Sequence, residues 1–285
     1  MDLVRDLQKI PLSDRTTKWL KKARTGQVAV NPYWPRGHSA ICAAYFCTDT
    51  DFNLGGFMDF VDSTGVVDPI GHDDFINWIG DLPQVLAELS KVTTKFWEQY
   101  QILVNMAAPK WLPMLEQGRK AAADFWDESA PKLIFAPNLL FSSYCADFVN
   151  LDSKIVVIVF APDAESVLHE ALHVTVAEHR GQITDFAQTH RLGNFADPAK
   201  MLELGYMSDN SIASQVHAIE ECFVRALSVA LAEGGAARFA SHAKDGFTGV
   251  SRIGSDFLQK RPKAHNLGEF IHHILKEEKH VSCNG

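Results

Sequence analysis

The sequence contains no apolar run long enough to cross a bilayer, no long block of like charge and no Cys-x-x-Cys pair. Each absence narrows what the chain can be. A spanning helix needs about 20 consecutive apolar residues, so the transmembrane class drops out. The formal net charge of −8 is spread along the chain, which argues against a nucleic-acid or anionic-membrane surface and predicts neither as a partner. The stretch from Met1 to Lys22 mixes Asp, Lys and Arg and lacks the apolar centre and small-residue cleavage site of a secretory signal. Five cysteines (Cys42, Cys47, Cys145, Cys222, Cys283) fit neither a disulfide framework nor a zinc knuckle. Together these features predict a cytoplasmic address.

What is present is a globular composition, 46% hydrophobic and 22% charged over 285 residues, enough for a sizeable core in one or two domains. Apolar residues recur at helical spacing from Asp2 to about Leu20. Val28 to Val30 and the Pro32/Pro35 pair mark a strand or loop, Ser39 to Cys47 fits a helix or a buried strand, and about Gly55 to Asp81 reads mainly as loop. Pro83 opens a helix through about Met106. Pro109 and Pro113 end it and start another through Trp126, which predicts a helical hairpin. The stripe Phe96, Trp97, Tyr100 and Trp111 reads as core. Lys132 to Phe141, Ser143 to Asn150 and Lys154 to Phe160, rich in Val, Ile and Phe, read as strands of a small mixed sheet.

Beyond the sheet, Pro162 and Asp163 supply a breaker and an N-cap for a helix from Ala164 to Glu178. Ile183 to about Asn210 reads as irregular apart from a short helix near Pro198 to Leu204. A strong helix runs from Ser211 to about Glu233, and a glycine-rich, loop-like remainder leads to a last helix from Leu267 to Lys279. The pattern predicts an α+β fold, with a mostly helical region 1–130 and a region 131–285 that carries the chemistry, as two domains or one continuous domain.

That chemistry is concentrated in His169-Glu170-Ala171-Leu172-His173. Residues four apart share a helix face, so His169 and His173 can direct imidazole nitrogens at one Zn²⁺. Glu170 lies about 100° round the helix from His169. There its carboxylate is placed to take a proton from a zinc-bound water and pass it on, without being a ligand itself. The competing reading, two ordinary histidines, is weakened by context: the motif follows a strand and an N-cap, and Val167, Leu168, Leu172, Val174 and Val176 embed it in a core.

This helix resembles the active-site helix of the zincin metallopeptidases, the likeness being close over the His-Glu-x-x-His motif and only in outline around it. The resemblance implies a zincin-like catalytic region, one Zn²⁺ per chain and hydrolysis of peptide bonds in a peptide or protein substrate. It also implies a substrate aligned by β-augmentation on an edge strand before the helix, in the place of Lys154 to Phe160. In the gluzincin branch a glutamate from a second helix completes the metal site, and Ala218-Ile219-Glu220-Glu221-Cys222-Phe223-Val224-Arg225-Ala226-Leu227 resembles that helix. Both Glu220 and Glu221 are candidates. Glu220 falls in an apolar sector where an unpaired carboxylate is costly, while Glu221 stands four residues before Arg225, as in the Glu-x-x-x-Arg-Ala arrangement of gluzincin-like helices. That favours Glu221.

The metzincin branch offers His179 as the third ligand, at the last position of an HExxHxxGxxH-length segment. Val176, however, stands where that branch has glycine. A continuing helix leaves His179 about 240° from His173, and Met207 would mimic the methionine turn. Gluzincin is the preferred branch. Zincins also stabilise an oxyanion opposite the metal, for which Tyr206, His217 and Arg225 are candidates, each with a structural role as its competing reading. His190, His217, His242, His265, His272 and His273 share no ligand spacing and read as surface residues. The rival function is a non-catalytic binding or scaffold protein that retains a zincin fold.

Overall fold

The computed structural model describes residues 6, 9–25, 45, 54–63, 81–127, 132–137, 147–151, 154–159 and 163–282. Over these residues the chain is α+β, mostly helical with one three-stranded sheet. It divides into two compact units, residues 1–113 with 132–162 and residues 114–131 with 163–285. The expected segment at Val28 to Val30 lies outside the described residues, as does all of Ser39 to Cys47 except Tyr45, which is helical and buried.

In the first unit, helix α1 (Asp14–Thr25) and helix α2 (Leu54–Ser63) each pack against helix α3 (Leu82–Thr93). The Ser13 backbone N–H, Ser13 Oγ and Thr16 Oγ1 all donate to the Glu88 carboxylate on α3, at 2.6, 2.5 and 2.5 Å. These donors hold Glu88 below the usual carboxylate range. Helix α2 lies where the sequence predicts loop. The cost of Gly55 and Gly56 in a helix is offset by Phe57, which is fully buried and meets Tyr45 edge to face at 5.3 Å.

The break after α3 also differs from expectation. A 3₁₀ turn at Thr94–Phe96 separates it from helix α4 (Trp97–Trp126), and Pro109 and Pro113 sit inside α4. The hydroxyls of Thr93 and Thr94 donate back to the carbonyls of Leu89 and Ser90, an interaction that bends helices. Both prolines are exposed, so the carbonyls they leave without a donor face water rather than core. There is therefore no hairpin at the prolines. Trp97 is exposed as well, stacked on Tyr100, whereas Trp111 is buried, so the expected aromatic stripe is core only in part.

Strands β1 (Lys132–Pro137), β2 (Asp147–Leu151) and β3 (Lys154–Val159) form the sheet in the order β1-β3-β2, with β3 parallel to β1 and antiparallel to β2. Ile155, Val156, Val157 and Ile158 are all buried, which explains an apolar run without polar alternation. Because β3 is bonded along both sides, it cannot accept a substrate strand, and the edge-strand expectation for Lys154 to Phe160 is corrected.

The second unit holds helices α5 (Ala164–Ala177), α6 (Arg180–His190), α7 (Pro198–Glu203), α8 (Ile212–Leu231), α9 (Gly235–Lys244), α10 (Val250–Lys260) and α11 (Leu267–Ser282). Helix α8 packs against α5, α6, α9 and α10 and is buried over nearly its whole surface. Regular helices thus replace two expected irregular stretches. In α6, Ile183, Phe186 and Ala187 form a buried stripe in an otherwise polar sequence. Among the later glycines, Gly246 (φ +99°) ends a turn, and Gly254 lets α10 close on the Phe239 ring, where an added Cβ would lie 2.2 Å from Cε1. Those glycines punctuate and pack helices rather than marking loop. No helix among the described residues is long and apolar enough to cross a membrane.

Candidate metal centre

Helix α5 begins on Asp163, whose extended backbone and carboxylate cap it by accepting from the Ser166 N–H at 2.7 Å and from Ser166 Oγ at 2.8 Å. Val167, Leu168, Ala171, Leu172 and Val176 anchor one face in the core, and Trp126 donates to Thr175 Oγ1 at 2.8 Å. With that face fixed, Glu165, His169 and His173, spaced by four, share another. Helix α8 begins on Ser211, which accepts from the Ser214 N–H, and presents His217, Glu221 and Arg225 at the same spacing.

The two rows meet at three groups. His169 Nε2 and His173 Nε2 are 3.3 Å apart, and each is 3.4 Å from an oxygen of Glu221. The two contacts go to different oxygens, His169 to Oε1 and His173 to Oε2, so the carboxylate faces both imidazoles at once, and one ligand atom from each of the three residues lies within 4.8 Å of the others. The donor set, two imidazoles and a carboxylate, suits zinc. Among the described residues this is the group of metal-ligating side chains close enough to share an ion.

Electrostatics favour a cation there. Burial opposes ionisation of Glu221, but His169, Arg225 and His173 hold it well below its ordinary value. Burial likewise disfavours a charge on His173, Glu221 only partly compensates, and the imidazole is pushed down to about 3. His169 is shifted up: its burial is outweighed by Glu221, with Glu170 adding to the effect. A carboxylate and two ring nitrogens converge on a point that a proton or metal ion must occupy to relieve their repulsion.

Glu221 is fixed from behind. Arg225 Nη2 contacts Glu221 Oε1 at 2.8 Å and donates to the Tyr206 hydroxyl at 2.6 Å. Arg225 Nη1 donates to His242 Nδ1 at 2.9 Å, and the guanidinium stacks over the Phe247 ring at 4.4 Å. Tyr206 and Arg225 therefore stand beside the Glu221 carboxylate, as its supports. Glu170 is buried on α5 next to His169, whose ionisation it influences.

Glu220 is placed elsewhere. Its carboxylate takes a two-point fork from Arg180 at 2.7 and 2.8 Å, which answers the cost of burying it in an apolar sector. His179 also stays apart: α5 continues through Val176 to Ala177, and His179 caps α6 against Gly268. Met207 is buried in the turn after α7. His217 is half-buried on the row with Glu221 and bears on His173 electrostatically.

Two residues of this site escape the sequence reading. His242, expected on the surface, is buried on α9, where its Nε2–H donates to Glu165 Oε1 at 2.7 Å. Glu165 was legible in principle, four residues before His169 on one helix face. His242 had no local signal, since only the packing of α9 brings it to Arg225. The chain matches no protein-family model, no curated protein and no solved structure.

Proposed function

We propose that this chain is a zinc-dependent peptidase of the zincin type, in its gluzincin form, with His169, His173 and Glu221 holding one zinc ion. The observation that carries this reading is the convergence of two imidazole nitrogens 3.3 Å apart and a carboxylate whose two oxygens each lie 3.4 Å from one of them, built from a His-Glu-x-x-His helix and a glutamate of a second helix. Three protein ligands leave a tetrahedral ion one open position, which separates a catalytic site from a closed structural one. A bound zinc ion supplies Lewis acidity for hydrolysis of an amide.

The chain's own residues supply the rest. Glu170, one residue along the helix from a ligand, accepts a proton at its carboxylate from the attacking water and returns it to the departing amine nitrogen. Arg225 and Tyr206 keep Glu221 oriented so that its oxygens stay directed at the two imidazoles.

The test uses zinc-loaded protein with fluorescein-labelled casein and a mixture of quenched fluorogenic peptides. Wild type is expected to cleave, and Glu170→Gln to retain its zinc while losing turnover by 10²-fold or more, on the order of what a positioned acid–base group contributes. Loss of zinc from Glu170→Gln would make Glu170 a ligand and overturn the mechanism. Zinc binding without cleavage by wild type would favour a non-catalytic binding protein.

A further inference from the structure

The guanidinium of Arg225 touches Glu221 on one side and His242 on the other, and the bonds continue outward. Arg225 has only donors, so His242 Nδ1 must accept, which leaves the ring proton on Nε2 facing Glu165 Oε1 at 2.7 Å. The tautomer is fixed by its neighbours. The other oxygen of Glu165 takes the Arg238 guanidinium, so the carboxylate is held at both oxygens. The side chains at the centre of the chain are 7% exposed for His242, 11% for Glu165, 13% for Arg225 and 5% for Glu221.

Position adds to this connectivity. Glu165 lies one turn before His169 on the face of α5 that carries the imidazoles, and Arg225 lies one turn after Glu221 on the face of α8 that carries the carboxylate. His242 reaches from α9 to bond both. The two helices that contribute metal ligands are therefore tied together one turn away from those ligands.

We propose that Glu165 and His242 form a brace that fixes Arg225, and through it the metal-facing carboxylate of Glu221, making His242 a positioning residue for the ligand set. The proposal rests on the zinc reading above. Arg225 Nε has no acceptor among the described residues. If His242 Nδ1 withdraws, Nη1 loses its acceptor, and besides its stacking on Phe247 the guanidinium keeps polar partners only at the edge that faces Glu221 and Tyr206. A fork held at one edge can swing, and Glu221 swings with it.

Two substitutions separate the two ends of the brace. Asn places an oxygen near the position of Nδ1, keeping the acceptor for Arg225 and giving up the bond to Glu165. Gln places an N–H near Nε2, keeping the donor to Glu165 and withdrawing the acceptor. Zinc affinity is read by competition with a chromophoric chelator, ligand geometry by the visible spectrum of the Co²⁺ form, and folding by circular dichroism and urea denaturation.

For a residue that acts on the metal through its ligand, His242→Gln is expected to weaken zinc about 10–100-fold and alter the Co²⁺ spectrum, while His242→Asn stays within about 3-fold of wild type. Equal weakening in the two variants, in step with lost stability, would reduce His242 to a packing residue and overturn the proposal. Unchanged affinity in both would overturn it too. Failure of the wild type to bind zinc would instead remove the metal reading, and the brace with it.

Discussion

At the residue scale, the site depends on one largely enclosed arginine shared by three acceptors. Arg225→Ala removes the donor from Glu221, Tyr206 and His242 together and leaves a buried carboxylate without its cation. The expected loss is about 3–5 kcal/mol, the range for breaking one partner out of a buried pair, read by urea denaturation of the metal-free protein. A loss below about 1 kcal/mol, typical of exposed pairs, would contradict the burial described for this network. Glu165 makes a second prediction. Burial works against its ionised form, yet His242 and Arg238 hold its carboxyl below the ordinary value. The unfolded chain therefore takes up the proton first as pH falls. The stabilisation is complete above the unfolded Glu pKa of about 4.3 and is lost as pH drops through the lower folded value. Wild type should lose more stability between neutral pH and the acid range than Glu165→Gln does, and parallel pH curves for the two would contradict the bond.

At the scale of elements, helix α5 was legible because its signals are local. Asp163 as cap, the apolar face and the histidine spacing all lie within one short segment, and α5 forms as expected. Helix α8 was legible for the same reason. What the sequence hid depends on partners distant along the chain. Phe57 turns a glycine-containing stretch into α2 by packing on Tyr45, and the helix breaks beside the back-bonded hydroxyls of Thr93 and Thr94 rather than at the prolines. The later glycines looked like loop because their packing role is visible only with Phe239 in place. Gly254→Ala is thus expected to force α9 and α10 apart and cost about 1–3 kcal/mol, the usual penalty for overpacking, with the loss measured by thermal or urea unfolding. A neutral or stabilising outcome, as for glycine in an open helix, would show that the close approach is not maintained.

At the scale of the whole molecule, the two units have separate cores. Val149, Val156 and Ile158 pack with Phe60, Ile134 and Ala136 in the first, and α8 with its surrounding helices fills the second. The three proposed ligands, His169, His173 and Glu221, all belong to the second unit, although the sheet lies between its two segments in sequence. Elemental analysis of purified protein, after loading with zinc and dialysis, tests the central claim most directly. The account predicts about one zinc per chain in wild type, retained in Glu220→Ala because Glu220 serves Arg180, and lost in His169→Ala and Glu221→Ala, because each removes one of three ligands. Wild-type protein that retains no zinc, or a Glu221→Ala variant that keeps its full complement, would contradict it.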